Sequence, residues 1–101
     1  WGENGSVDNE IVVTKKGTSN FSVIFDHVLY KVKDDPGNAT FVSAIKNVPP
    51  GFDSINPSKR IFDFHLRTGS PGVNAGVITP FLYDLDGKAR DQKPDLGCYE
   101  N

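Results

Sequence analysis

A chain of 101 residues forms one domain at most and can bury about two thirds of its unfolded surface, so its core is modest. Hydrophobic residues at 37%, seven Phe among them, suit a packed chain, and a formal net charge of −2 without a run of one sign excludes the clustered basic face that nucleic acid requires. The single cysteine, Cys98, excludes an internal disulfide and cannot alone build a zinc site, and no apolar run reaches the ~18 residues of a membrane span.

In chain order, residues 10–15 (Glu-Ile-Val-Val-Thr-Lys) are rich in β-branched side chains and predict a strand. Residues 21–31 predict a second one, because Phe21, Val23 and Phe25 alternate with Ser22 and Asp26 at the period of two. Ile24, Val28 and Leu29 interrupt that alternation, so the segment is bent or buried on both sides. A short strand is expected over residues 40–45, overlapped by one candidate helical turn at 42–46. Residues 61–66 (Ile-Phe-Asp-Phe-His-Leu) predict a further strand, and 81–83 and 96–99 shorter ones. Ten Gly and seven Pro exclude any long helix. Turns are expected at Lys16-Gly17, at Asp35-Pro36-Gly37-Asn38 with Gly37 at positive φ in a type II turn, and at Pro49-Pro50-Gly51, Ser70-Pro71-Gly72 and Asp86-Gly87. Strand starts recur at irregular gaps, without a repeat that proves a solenoid.

The residues that bear chemistry form no familiar catalytic set. Asp84-Leu85-Asp86-Gly87 is similar to the opening of a calcium loop, yet counting on to the twelfth position reaches Asp95 where a bidentate Glu is required. The reading set against calcium at Asp84 and Asp86 is a metal-free turn in which one of these carboxylates accepts backbone N–H bonds and Gly87 takes a left-handed conformation. Arg90 and Asp95 flank a Pro-containing link, where a bidentate contact would tie the last segment back onto the domain. His27 beside Asp26 and His65 beside Asp63 invite an acid/base role, but both His fall in predicted strands, and half-exposed polar positions account for them. Gly69-Ser70-Pro71-Gly72 lacks a nucleophile elbow. No catalytic residue, cofactor site or metal site is assigned. Asn4-Gly5-Ser6, Asn20-Phe21-Ser22 and Asn38-Ala39-Thr40 match the N-glycosylation pattern, a short pattern that arises often by chance. Asp53-Ser54-Ile55 is similar to the O-glycosylation motif of exported Bacteroidetes proteins.

One resemblance rests on the order of motifs in the last third. Asp63-Phe64-His65-Leu66, Gly69-Ser70-Pro71, Asn74-Ala75-Gly76, the Asp84-Leu85-Asp86-Gly87 to Arg90 stretch and Pro94-Asp95-Leu96-Gly97-Cys98-Tyr99-Glu100 follow one another. This resembles the C-terminal end of secreted right-handed parallel β-helix proteins of Bacteroidetes, the pectate-lyase-like, choice-of-anchor group. Their ends read F-x-L, S-P-A-I-D-A-G, D-L-D-G-x-x-R and P-D-I-G-A-Y-E. Asp26-His27-Val28-Leu29 is similar to an F-x-H-C-L element placed one or two coils earlier in that group. Cys98 stands where the group has Ala, which implies a small buried residue. Arginine serves as the base in some β-helix lyases, but on middle coils, so Arg90 is not given that role.

The resemblance implies an all-β chain: the terminal coils (residues 1–66) and closing segment (67–101) of a right-handed parallel β-helix, one domain, cut from a larger protein. The start at Trp1-Gly2 and the lack of any Met read as a fragment, so the lack of a signal pattern says nothing about the parent. The expected function is non-catalytic capping within a surface, carbohydrate-associated exported protein, extracellular or on the cell surface. Asp84, Asp86, Gly87, Arg90 and Asp95 then serve turn and closure. The expected partners are the upstream coils, a polysaccharide, and a second copy through an exposed N-terminal face bearing Val12, Phe25 or Leu29. Two alternatives stay open: a polysaccharide lyase or glycoside hydrolase with its catalytic residues upstream, or a glycan-binding module with Phe52, Phe81 or Tyr30 on an open face.

Overall fold

The computed structural model describes residues 7–101, which divide into two compact units with the boundary between Val48 and Pro49. The Asn4-Gly5-Ser6 motif lies outside the described residues. Among the described residues there are six short strands: β1 (Ile24–Asp26), β2 (Leu29–Tyr30), β3 (Thr40–Val42), β4 (Ile45–Lys46), β5 (Phe52–Asn56) and β6 (Ile61–Leu66). They pair into three two-stranded sheets, and the described residues contain no α-helix, only a 3₁₀ turn at Pro57–Lys59.

The first unit is built on a step of 16 residues. β1 pairs parallel to β3 with Ile24 opposite Thr40 and Phe25 opposite Phe41, and β2 pairs parallel to β4 with Leu29 opposite Ile45. Both strand pairs are broken at the same place by a residue in the left-handed region, His27 at φ 49° and Ser43 at φ 48°. The bend expected within 21–31 is this corner, and His27 occupies it rather than a strand. Because the step preserves side-chain facing, Phe25 stacks on Phe41 at 5.1 Å between ring centroids, and Tyr30 stacks on Phe41 at 4.4 Å. Tyr30 and Val32 are the buried apolar residues here, at 6% and 2% exposure.

Side-chain amides complete the unit where strands stop. Asn47, itself at φ 56°, donates from its amide to the Val32 carbonyl at 2.8 Å and accepts from the Val32 N–H at 2.8 Å, replacing a strand partner. Asn9 accepts from the N–H groups of Lys33 and Asp34 while its own residue bridges antiparallel to Val32. Asn47→Ala strands both polar groups of the most buried residue, so it should cost about 1–2 kcal/mol, read as a lower urea midpoint. A change within error would mean that water replaces the amide.

Several expected elements are absent. Residues 10–15 form no strand: only Glu10 reaches the ladder, donating to the Lys31 carbonyl at 3.0 Å, and Val12 is exposed. β-branched content without a neighbouring edge does not make a strand. The candidate helical turn at 42–46 is the β3–β4 corner. The turn after Asp35 closes between Pro36 and Ala39, and Gly37 keeps an ordinary φ. Residues 81–83 and 96–99 are irregular apart from an isolated bridge between Tyr83 and Ala89.

In the second unit β6 forms as expected, but its partner is β5, antiparallel, with Phe52 opposite Leu66 and an irregularity at Asp53. Phe64 is exposed, meeting Phe52 edge-on and stacking near Phe62. Leu66 is buried. The remaining residues, 67–101, are held by hydrogen bonds between irregular stretches: Gly76 N–H to Pro94 O and Leu96 N–H to Gly72 O, both at 2.8 Å.

Candidate functional site

The polar groups concentrate where the 84–90 turn, β6 and the final residues of the second unit converge. Asp84 organises the turn. Its Oδ1 accepts from the N–H groups of Asp86 at 2.9 Å and Lys88 at 2.7 Å, and its Oδ2 accepts from the Glu100 N–H at 2.9 Å. Desolvation is the largest single influence and pushes its carboxyl up, but the three N–H bonds together outweigh it and hold the carboxyl below the usual range. Gly87, at φ 80°, supplies the left-handed residue such a turn needs. Of the two carboxylates named for backbone bonding it is therefore Asp84 that does it, while Asp86 Oδ2 turns to His65 Nε2 at 2.8 Å.

Arg90 is the hub of closure, with a different partner from the one expected. Its Nη1 reaches Glu100 Oε2 at 3.1 Å and the Asp95 carbonyl at 3.3 Å, and its Nη2 donates to the Gly97 carbonyl at 2.9 Å. The Asp95 carboxylate instead accepts the N–H groups of Asn74 and Asn101, each at 2.7 Å. Asp95 and Glu100 are both buried. Glu100 was not singled out by sequence reasoning; its place closing the Pro94 to Glu100 motif was the available signal.

His65 sits between two carboxylates. Nδ1 lies 2.5 Å from Asp63 Oδ1, two residues away on the same strand face, and Nε2 faces Asp86. The ring stacks on Tyr99 at 3.9 Å, a contact the sequence did not announce. Hydrogen bonds to Asp63 and then Asp86 raise the His65 pKa, and the bond to His65 lowers that of Asp63. Desolvation first, then the charges around it, raise the Tyr99 pKa. With both ring nitrogens facing carboxylates, the protonated ring has no free nitrogen to take a proton from a substrate.

The other candidates have ordinary structural partners. His27 Nδ1 lies 2.7 Å from Asp26 Oδ1. Ser70 is buried, donating to the Pro50 carbonyl and accepting from the Gly72 N–H, so it presents no nucleophile. Cys98 is exposed rather than buried, with half-buried Tyr99 and buried Glu100 facing inward beside it. Among the described residues no group of three or more His, Cys, Asp or Glu is placed to hold a metal ion, and the oxygens of Asp84 are occupied by N–H groups. Ser54 of the Asp53-Ser54-Ile55 motif is half-buried in β5. Of the aromatics named for a glycan face, Tyr30 is buried, Phe52 half-buried and Phe81 74% exposed. Phe81 belongs to a stretch in which Val77, Ile78, Leu82, Tyr83 and Leu85 are exposed as well.

No helix among the described residues is long and apolar enough to cross a membrane. Compared with known proteins, the chain matches no family model, no curated protein and no solved structure.

Proposed function

We propose that the chain is the non-catalytic terminal portion of an exported right-handed parallel β-helix protein associated with surface carbohydrate, made of terminal coils and a closing segment. The observation that carries this is the 16-residue parallel step, with paired left-handed corners at His27 and Ser43 and Phe25 stacked on Phe41. Parallel strands offset by one constant step, stacking like side chains, are how a solenoid grows, and such an array requires a distinct end unit. The second unit has the properties of an end. Its strands run antiparallel and its last residues are fixed by charged hydrogen bonds instead of a further rung. In this reading the exposed apolar residues of 77–85 lie against the parent, since a solvent-facing cap does not carry so many.

Deleting residues 49–101 from the parent should raise its aggregation and protease sensitivity, because a solenoid without its end unit exposes unpaired backbone groups. The chain by itself should associate in sedimentation and turn over no polysaccharide. A parent indifferent to the deletion overturns the capping role, and turnover abolished by His65→Ala overturns the non-catalytic one. The glycan-binding alternative draws on the exposure of Phe81 alone, and retention of Phe81→Ala on a polysaccharide column equal to that of the unaltered chain would dismiss it.

A further inference from the structure

We propose that His65 is a pH-sensitive clasp: its imidazolium joins β6 to the 84–87 turn by donating to Asp63 and Asp86 together, and deprotonation opens one side and loosens the turn and the Tyr99 stack. The geometry requires this. A neutral imidazole has one N–H and one lone pair, so only the protonated ring satisfies two carboxylates at once. In the neutral form one nitrogen presents a lone pair to a carboxylate oxygen, and that contact becomes repulsive. Asp63 is anchored on the same strand, where its Oδ1 also accepts the His65 N–H at 3.1 Å. Asp86 stands on an exposed turn whose other contacts run through Asp84, so the Asp86 side is the one that yields.

The groups facing the ring are few and come from three elements: Asp63 from β6, Asp86 from the turn, and Tyr99 from the final stretch, with Asp84 and Cys98 acting on Tyr99 behind it. Arg90 does not compete for Asp86, because its guanidinium is turned to Glu100. The sign follows from the two shifts. His65 is raised, so its contribution is complete below the ordinary histidine value of about 6.5 and disappears as pH climbs through the higher folded value. Asp63 is lowered, so its contribution is present above about 3.9 and disappears as pH falls through the lower folded value. The clasp is therefore closed in mildly acidic solution and opens on the alkaline side. It is a property of the second unit, independent of what the unit caps.

An NMR titration of the whole chain between pH 5 and 9 tests it, following the His65 ring signals and the amides of Asp86, Gly87 and Tyr99. The amides should shift with the His65 midpoint, and their hydrogen exchange, corrected for intrinsic pH dependence, should rise about threefold or more above it. Asp86→Asn should lower the His65 midpoint by about one pH unit and uncouple the turn amides from it. His65→Gln should abolish the amide transition in a chain whose signals are otherwise retained. Turn amides that stay unmoved while His65 titrates, or that move equally in His65→Gln, overturn the proposal. If Asp86→Asn leaves the His65 midpoint in place, the Asp86 contact is not formed in solution and the clasp is likewise rejected.

Discussion

Arg90→Ala should destabilise the second unit by about 3–5 kcal/mol, the loss associated with leaving a buried carboxylate without its cation. The side chains of Arg90 and Glu100 are 14% and 7% exposed, so water cannot readily take over either role. The guanidinium also satisfies the carbonyls of Asp95 and Gly97, and Glu100 Oε2 accepts the Asp95 N–H at 3.1 Å. Truncation thus orphans a charge and two carbonyls around the same few residues. Arg90→Lys should recover only part of the loss, since a point charge cannot serve three acceptors arranged for a planar fork. Glu100→Gln in the Arg90→Ala background should recover more, because it removes the stranded charge. Urea unfolding of the three variants measures this. A loss below about 1 kcal/mol for Arg90→Ala would place the pair among solvated surface ion pairs.

The Arg90 closure shows what was legible in the sequence and what was not. That Arg90 would tie the last segment back is a local inference, from an arginine and carboxylates separated by a rigid link. Which carboxylate it takes depends on where the chain turns at Gly97, and Asp95 and Glu100 are both within reach along the sequence. The turn at Asp84 was legible for the same reason of locality: its donors at 86 and 88 lie within four residues. His65 divides along that line. Its contact with Asp63 follows from the two-residue strand period, whereas its contact with Asp86, 21 residues on, depends on the tertiary path.

Strand content divides differently. β6 announces itself by four apolar or aromatic residues around Asp63 and His65, but β5 is hidden behind Pro49-Pro50-Gly51 and carries Asp53, Ser54 and Asn56. A strand with so many polar residues forms because β6 offers it an edge. The 16-residue step was present in the letters, as Phe25 and Phe41, Val28 and Ala44, Leu29 and Ile45. It escapes a search for periodicity because each strand has two or three residues, too few to establish a period, and because the corner is filled by His in one turn and Ser in the next. Residues 11–15 show the converse, with strong β propensity and no strand.

Gly76→Ala should cost about 2–3 kcal/mol, toward the upper end of what overpacking does in a close contact. Residues 72–76 and 94–96 lie side by side, joined by Gly76 N–H to Pro94 O, Leu96 N–H to Gly72 O and Asn74 N–H to the Asp95 carboxylate. A Cβ on Gly76 would stand 2.6 Å from the Pro94 carbonyl oxygen and 3.2 Å from that of Asp95. Both obstacles are backbone, and Pro94 cannot move without carrying Asp95 and its two N–H partners along. Gly76 does not have positive φ, so the effect is contact and not conformational strain. Gly72 provides the comparison. Its added Cβ would meet the Cδ1 of Leu66 at 2.9 Å, the end of a side chain that can rotate away, so Gly72→Ala should cost less than about 1.5 kcal/mol. In thermal unfolding, Gly76→Ala should melt well below Gly72→Ala, with exchange of the Gly76 and Leu96 amides accelerated only in the former. Equal melting of the two variants would mean that the 94–96 stretch yields as easily as a leucine methyl, and that the glycine of the Asn74-Ala75-Gly76 motif is not required for close approach.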